Sequence, residues 1–275
     1  MAGTLYLVPT PIGNLSDISP RCRETLEQAD FIAAEDTRVT MKLLNHMGLK
    51  KPLVSYYEHN KQESGEKILS RIQAGETCAL VSDAGTPAIS DPGEDLVRLC
   101  AEHDVPVIAI CGPCAAVTAL AVSGLPTGRF TFEGFLSTNK KSRQSHLQSL
   151  LTERRTMIFY EAPHKLPATL EDMKKAFGGE RKISLCRELT KLHEEVFRTT
   201  LDGAISHYEQ NPPRGEFVLI VAGAEEEQEQ ALTLEDAIAL CQSRIESGMS
   251  KKDAVKLVSS ETGFPKNALY DAILK

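Results

Sequence analysis

The strongest constraint on the fold is an alternation of apolar and amphipathic segments through residues 1–124. Five short segments are apolar throughout, at 5–9, 31–35, 53–57, 78–82 and 105–110. Single stretches with helical periodicity separate them, and the first begins with Ser19 as an N-cap and Pro20 as the first helical residue. Strands that are apolar on both faces and joined by single helices form parallel sheets with helices on both sides. The alternation therefore predicts a parallel α/β domain over residues 1–124.

Residues 125–224 carry a different pattern. Turn-rich residues 125–129 are followed by strand-like segments at 130–136, 156–161, 182–186, 194–200 and 216–223. Helices are predicted between them at about 142–151, 165–177 and 203–210. The third and fourth strands have no helix between them, so they predict an antiparallel pair within a mixed sheet. We therefore predict a second α/β domain over residues 125–224.

The C-terminal residues predict a small all-helical unit over residues 231–275, after an acidic linker at 225–230. Thr233 with Asp236 three residues later resembles a capping box, although strict boxes have Glu or Gln at the second position. Three short helices follow, with Gly263 in the turn between the last two. The unit is either a helix-turn-helix or a small docking bundle, and the sequence favours neither.

Charge and cysteine content narrow the function classes. The 275-residue chain has 31 basic and 38 acidic side chains and a net charge of −7, which does not suit a general polyanion binder. Residues 125–224 nevertheless carry 15 basic and 12 acidic side chains, so we expect this segment to bind any anionic partner. Seven cysteines without a leader-like N-terminus predict reduced thiols and a cytoplasmic location. No apolar run is long enough to predict a membrane span.

The common catalytic motifs are missing from the sequence. We find no Walker A, no G-x-G-x-x-G after a strand, no H-E-x-x-H and no G-x-S-x-G, so no metal site is expected. The segment from Cys111 to Cys114 matches the thioredoxin motif at a predicted helix start, where a thiol pKa falls. A tight Gly-Pro turn with two small apolar fillers explains it better, so a CGPC oxidoreductase is a minor alternative.

Three loops of small residues follow strands of the first predicted sheet. They lie at 10–14, 82–87 and 111–115, after the first, fourth and fifth strands. The carboxyl ends of parallel strands meet at one edge, where α/β proteins bind ligands. Small residues let the backbone approach a ligand closely, and Asp83 supplies an anion. The loops therefore predict a ligand site at this edge.

Six ordered motifs carry a resemblance to a known family. They are YLVPTPIGNLSDIS, AEDTR, SDAGTPAISDPG, GLPTGRFTFEGFL, YEAPHK and RELTKLHEE. In this order and spacing they resemble the tetrapyrrole-methylase-like (class III) methyltransferases, and among these the branch that methylates ribosomal RNA. The resemblance runs from residue 5 to about 222, and the helical tail is similar to the small C-terminal unit of that branch. The family usually has serine where this chain has Cys114, which loses a good hydrogen-bond donor.

The resemblance implies both a fold and a reaction. The fold has two α/β domains, with S-adenosylmethionine in the cleft between them, and it forms a homodimer. The reaction is methyl transfer to the ribose 2′-hydroxyl of a cytidine in the decoding region of 16S ribosomal RNA in the small subunit. The implied cofactor contacts are Ile12, Asp83, Gly85, Thr86, Cys114, Ala115, Tyr160, Glu161, Ala162, Leu189, Glu216 and Phe217.

A neutral ribose hydroxyl is a poor nucleophile, so a proton acceptor near pH 7 would help the reaction. Asp36 and His164 are weak candidates. A local pair with Arg38 explains Asp36 slightly better, and a hydrogen bond at a helix start explains His164 slightly better. The sequence does not identify the base.

Basic side chains in the middle segment are the expected RNA contacts, because neutralising phosphates is the main source of affinity for nucleic acid. The candidates are Lys140, Lys141, Arg143, Arg154 and Arg155. An ordinary solvated helix face is the alternative for these residues.

Two further functions stay open. One is a methylase of the same fold that acts on a tetrapyrrole precursor, although a small substrate needs neither the helical tail nor the basic segment. The other is a non-catalytic protein that binds the ribosome and keeps a methylase fold. Neither DNA nor a membrane is an expected partner.

Overall fold

A computed structural model describes residues 3–225 and 233–273 of the chain. The chain separates into two compact units, Met1–Ala224 and Glu225–Lys275. Residues 226–230 of the predicted linker and residues 231, 232, 274 and 275 of the predicted helical unit lie outside the described residues. The predicted division of the first unit at residue 124 stays a prediction.

The first sheet is fully parallel, as the alternating apolar segments predict. Its strands are β1 (Leu5–Leu7), β2 (Phe31–Ala34), β3 (Leu53–Ser55), β4 (Cys78–Val81) and β5 (Val107–Ala109), in the order β3-β2-β4-β1-β5. The helices between and after them are α1 (Pro20–Gln28), α2 (Thr37–His46), α3 (Lys61–Gln73), α4 (Glu94–Glu102) and α5 (Ala115–Val122). The predicted N-cap forms, since Ser19 Oγ accepts a hydrogen bond from Cys22 N over 3.1 Å.

Helices cover both faces of this sheet. On one face, Ile68 of α3 and Leu96 of α4 pack with Phe31 of β2. On the other, Leu26 of α1 and Leu44 of α2 belong to a second buried cluster. Burial on both sides explains why the inner strands β2 and β4 are apolar on both faces.

The second sheet is mixed, as predicted. Its strands are β6 (Phe130–Phe135), β7 (Thr156–Glu161), β8 (Lys182–Arg187), β9 (Glu195–Thr200) and β10 (Phe217–Val221), in the order β6-β7-β10-β8-β9. Only β6 and β7 run parallel, and the other three neighbouring pairs are antiparallel. Helices α6 (Lys140–Ser149), α7 (Leu166–Phe177) and α8 (Leu201–Gln210) supply the core on one face.

Helix α5 covers the opposite face of the second sheet, although it follows the first sheet in sequence. Ala116, Ala119 and Leu120 pack with Ile158 of β7 and Ile220 of β10. The first 124 residues therefore supply part of the core of the second sheet.

Several helix boundaries differ from the predicted ones because a side chain caps the helix earlier. The helix predicted at 142–151 begins at Lys140, since Asn139 accepts from Ser142 N over 3.1 Å. The helix predicted at 203–210 begins at Leu201, where Thr200 caps Gly203. A short 3-10 helix at 15–17 was not predicted.

The second unit contains α9 (Leu234–Glu246), α10 (Lys251–Thr262) and α11 (Lys266–Ile273). The capping box forms with aspartate: Thr233 Oγ1 accepts from Asp236 N over 3.2 Å, and Asp236 Oδ2 accepts from Thr233 N over 2.9 Å. A small core joins the three helices through Ala237, Cys241, Val255, Val258 and Leu269. Within residues 3–225 and 233–273, no helix is both long and apolar enough to cross a membrane.

Candidate functional site

The three small-residue loops converge at one edge of the first sheet, as predicted. Thr10 and Gly85 exchange two backbone hydrogen bonds, over 2.9 and 3.0 Å. Thr10 Oγ1 also donates to the carbonyl of Ser82 over 3.1 Å. Thr86 Oγ1 donates to the carbonyl of Pro113 over 2.8 Å, which ties the third loop to the second. The edge is therefore held together by hydrogen bonds between its loops.

Gly85 is required at the centre of this edge for two reasons. Its φ of +85° lies in the left-handed region that side chains disfavour. A Cβ atom there would also lie 3.2 Å from Ile12 Cγ2, on the side of the first loop. Glycine thus keeps a backbone surface open between the loops.

A cavity of about 440 Å³ lies between these loops and the second sheet. Eleven of the twelve residues predicted to contact the cofactor line this one cavity. They are Ile12, Gly85, Thr86, Cys114, Ala115, Tyr160, Glu161, Ala162, Leu189, Glu216 and Phe217. Residues far apart in the sequence, from both sheets, therefore meet around one space.

Asp83 is the twelfth residue, and it does not line the cavity. Its Oδ1 accepts a hydrogen bond from Asp36 N over 3.1 Å, so it links the loops that follow β4 and β2. Its predicted contact with the cofactor stays a prediction.

Tyr160 connects the cavity wall to α5. Its hydroxyl oxygen accepts the backbone N–H of Ala116 over 3.1 Å, at the start of that helix. Burial, with a smaller contribution from Cys114, raises the pKa of Tyr160 to about 12. The hydroxyl therefore stays protonated at neutral pH.

Glu161 is a buried carboxylate in the cavity wall, only 4% exposed. Its Oε1 accepts from Ala162 N over 2.9 Å, and its Oε2 accepts from the Thr169 hydroxyl over 2.5 Å. Thr169 lies in the first turn of α7 and is 3% exposed. Sequence reasoning missed Thr169, and its position eight residues after Glu161 was the only available signal.

A cation sits between two carboxylates elsewhere on the cavity wall. Lys191 Nζ lies 2.6 Å from Glu216 Oε2 and 2.9 Å from Glu188 Oε1. Glu188 Oε1 also accepts from Glu216 N over 2.9 Å. The RELTK motif already contained Glu188 and Lys191, but the resemblance assigned them no role.

The CGPC segment takes part in the cavity through Cys114. This residue precedes α5 as its N-cap and makes no side-chain capping bond. Both Cys111 and Cys114 are free thiols, and only Cys114 lines the cavity. Its place in the wall fits a small filler better than a redox pair.

The two candidate proton acceptors lie outside the cavity lining. Asp36 forms the predicted pair with Arg38, with Nη2 and Oδ2 separated by 2.6 Å. Hydrogen bonds from Arg38 lower the pKa of Asp36 to about 2, so it is a weak base at neutral pH. His164 is exposed in the turn before α7.

The candidate RNA contacts differ in how they are held. Lys140 and Lys141 are exposed at the start of α6. Arg143 is only 16% exposed, and its guanidinium lies 2.8 Å from the buried carboxylate of Asp172. It also donates to two carbonyls of the loop before α6, so it holds that loop.

Arg155 is paired with Glu153 over 2.6 Å, while Arg154 is exposed at the surface beside it. No group of His, Cys, Asp and Glu side chains among the described residues could hold a metal ion.

Comparison with known proteins gives consistent matches over nearly the whole chain. Residues 4–205 match the family described as Tetrapyrrole (Corrin/Porphyrin) Methylases. Residues 225–275 match the family described as RsmI C-terminal HTH domain, which favours the helix-turn-helix interpretation over a plain docking bundle.

Two curated relatives share the name Ribosomal RNA small subunit methyltransferase I. The protein from Synechocystis sp. is 48% identical over 99% of this chain and 98% of its own length. The protein from Halalkalibacterium halodurans is 47% identical over 98% of this chain and 94% of its own length.

Among solved structures, a uroporphyrin-III C-methyltransferase from Thermus thermophilus, complexed with S-adenyl homocysteine, has the same fold. It matches with a TM-score of 0.54 and 15% identity, over 79% of this chain and 97% of its own.

Proposed function

Because the chain belongs to the tetrapyrrole (corrin/porphyrin) methylase family, we propose that it transfers a methyl group from S-adenosylmethionine to small-subunit ribosomal RNA. The relatives with 48% and 47% identity are named as small-subunit ribosomal RNA methyltransferases and match over nearly their full length. The acceptor we propose is the ribose 2′-hydroxyl of a cytidine in the decoding region of 16S RNA, as the sequence resemblance implies.

The observation that carries the proposal is the cavity between the two sheets. Its volume of about 440 Å³ falls within the range for small-molecule sites. A site for S-adenosylmethionine needs apolar walls, backbone that can approach the ligand closely, and a few fixed polar groups. Ile12 and Leu189 supply apolar wall, Gly85 supplies open backbone, and Glu161 supplies a fixed carboxylate. The residues present therefore fit this cofactor.

When bound, S-adenosylmethionine supplies an electrophilic methyl group on a sulfonium. The protein then has to align that group with the attacking oxygen and exclude water. Holding the two reacting groups in the right geometry lowers the barrier to transfer. Loops braced by Thr10 and Thr86 suit this task, because their shape is set by bonds within the protein.

We propose that Lys140 and Lys141 contact phosphates of the RNA, since both charges are exposed on one helix start. Arg154 and Arg155 extend the proposed contact surface. Arg143 contributes indirectly, by holding the loop before α6 through its bond to Asp172. We propose that the helical unit, which matches a helix-turn-helix family, binds the small subunit.

We further propose that the protein is a homodimer and acts in the cytoplasm, where small subunits are assembled. Light scattering coupled to size-exclusion chromatography tests the first statement, and a single-chain mass at micromolar protein would contradict it.

A methyl-transfer assay tests the function. The purified protein is incubated with radiolabelled S-adenosylmethionine and, separately, intact unmodified small subunits, free 16S RNA and a tetrapyrrole precursor. We expect label in one of the two RNA substrates, recovered as 2′-O-methylcytidine after digestion to nucleosides. Label in the tetrapyrrole alone would indicate the small-molecule methylase. Cofactor binding without any transfer would indicate a non-catalytic ribosome-binding protein.

A further inference from the structure

Ten residues of the cavity wall are not among the proposed cofactor contacts, and four of them have a distinctive setting. Ile89, Ser90 and Asp91 line the cavity from the loop after β4, and Phe135 lines it from the end of β6. The small-residue pattern did not single out these residues, and the resemblance assigned them no role. The loop follows a strand of the first sheet and Phe135 belongs to the second sheet, so the fold brings these residues together.

The loop from residue 88 to 91 has an unusual backbone. Ala88 and Ser90 have φ values of 67° and 63°, in the left-handed region that non-glycine residues rarely occupy. Such conformations are strained and persist where the surrounding structure enforces them. Two within three residues at a cavity wall indicate a loop that is held in a particular shape.

Strand β6 is irregular at the place where this loop meets it. Its register to β7 shifts between Phe132 and Gly134, and Gly134 has a φ of 62°. A Cβ at Gly134 would lie 3.3 Å from Ser90 Oγ, so the strained loop packs directly on the irregular strand. Irregularities of this kind change the direction of the following side chain, which here is Phe135.

Phe135 is an aromatic side chain that lines a cavity and is still 57% exposed. Its ring meets the ring of Tyr160 edge-on, with centroids 5.5 Å apart. The contact fixes one edge of Phe135 and leaves much of its surface open at the mouth. An open aromatic face at a nucleic-acid enzyme's mouth suits stacking of an unpaired base.

Asp91 brings a carboxylate to the same part of the wall. The titratable or polar groups facing it are Ser82 and Asp83 after β4, Glu35 after β2, and Tyr160 on β7. Burial raises the pKa of Asp91, Asp83 raises it further, and Ser82 partly offsets both. A carboxylate so placed accepts a proton more readily than an ordinary aspartate does.

We propose that residues 89–91 and Phe135 form the subsite for the acceptor nucleotide, with Phe135 stacking on the target base and Asp91 taking the proton of the attacking hydroxyl. This proposal rests on the RNA methylation proposed above. The hydroxyl oxygen bonds to the methyl carbon, the carbon–sulfur bond breaks with its electron pair kept by sulfur, and the hydroxyl proton passes to the Asp91 carboxylate and then to water.

The test for Asp91 compares Asp91→Asn with Asp95→Asn, a carboxylate on α4 that pairs with Lys61 outside the cavity. We expect Asp91→Asn to lower kcat by about 10²- to 10⁴-fold. Affinities for S-adenosylhomocysteine and for intact small subunits, measured by calorimetry and filter binding, should stay within about twofold. Asp95→Asn should behave as wild type in all three measurements.

A pH profile supplies a second readout on the wild-type protein. Transfer should decline as the pH falls through the raised pKa of Asp91, because the base must be deprotonated to act. The Asp91→Asn variant should lose this acidic decline of the profile. If Glu35 or Asp83 were the base instead, the variant would keep the decline. A wild-type rate that is flat through the acidic range, or a kcat of Asp91→Asn above a tenth of wild type, overturns the assignment.

The test for Phe135 compares Phe135→Ala with Phe130→Ala, an exposed phenylalanine on the same strand that does not line the cavity. Loss of one stacked base should weaken small-subunit binding by about 5- to 150-fold, and Phe135→Trp should restore it. S-Adenosylhomocysteine affinity should not change. Equal binding by the two alanine variants overturns the stacking role. If the wild-type protein transfers no methyl group to RNA, the proposed function fails. If Asp91→Asn and Phe135→Ala are both as active as wild type, only the subsite proposal fails.

Discussion

Replacing Thr169 with valine should destabilise the protein, because it removes one of the two donors that hold the buried carboxylate of Glu161. The Thr169 hydroxyl donates to Glu161 Oε2 over 2.5 Å, and the two residues are 3% and 4% exposed. Valine keeps the shape and leaves a carboxylate oxygen buried without that donor. A hydrogen bond to a charged group contributes about 1.5–3 kcal/mol.

This loss can be expressed as a change in melting temperature. For domains of this size, 1 kcal/mol corresponds to about 2–4 °C. Thr169→Val should therefore melt about 3–12 °C below wild type. Thr169→Ser is the matched control, since it keeps the hydroxyl and loses one buried methyl, at a cost of about 0.8 kcal/mol.

The assay is thermal unfolding followed by circular dichroism, with urea unfolding as a check on the free energy. Calorimetric titration with S-adenosylhomocysteine reports whether Glu161 still presents its carboxylate to the cavity, and we expect weaker binding in Thr169→Val than in Thr169→Ser. Equal melting temperatures for the two variants would refute the argument that this hydroxyl supports Glu161. An unchanged affinity of Thr169→Val for S-adenosylhomocysteine would show that cofactor binding does not need the hydrogen bond from Thr169 to Glu161.

Three further predictions concern RNA binding, acid titration and the division of the chain. Changing Lys140 and Lys141 to alanine should flatten the slope of log K against log salt by about two units at constant cofactor affinity, and an unchanged slope in filter binding would exclude both phosphate contacts. The pKa of Asp36, lowered from 3.8 to about 2 by Arg38, means that the pair stabilises the folded state above pH 3.8 and loses this effect as the pH falls towards 2. Carboxyl NMR titration checks this value, and a pKa near 3.8 would contradict the pairing. A fragment of residues 1–124 should fold poorly and bind no S-adenosylhomocysteine, because α5 would lose the sheet on which it packs, and wild-type affinity in the fragment would refute the need for both halves.

The sequence predicted the strands well because most of them are marked by apolar composition, and the central ones, such as β2, β4, β7 and β10, are largely buried. It could not predict their order in the second sheet. Strand β10 lies between β7 and β8, although β8 and β9 precede it in the chain. Apolar patterns identify segments that need burial, but they do not say which distant segment becomes the neighbour.

The site could be predicted in part for a similar reason. Small residues after parallel strands marked the loops around Gly85, since close backbone approach requires such residues. Asp91 and Phe135 lie within two of the quoted motifs, but nothing in the sequence placed them side by side, because their position depends on a strained loop that packs on an irregular strand. The sequence predicted Arg143 as a phosphate contact, because its partner Asp172 lies 29 residues away and nothing in the local sequence indicated the pair.

The most direct test of the account is to fill the cavity between the two sheets. Ala115→Trp places a large side chain in that space, and Ala121→Trp places the same side chain on an exposed position of the same helix, α5. Methyl transfer to small subunits and affinity for S-adenosylhomocysteine are measured for both variants, with melting temperature as the check on folding. We predict that Ala115→Trp loses transfer and cofactor binding while Ala121→Trp keeps both. Wild-type transfer by a folded Ala115→Trp protein would contradict the assignment of this cavity as the site of methyl transfer.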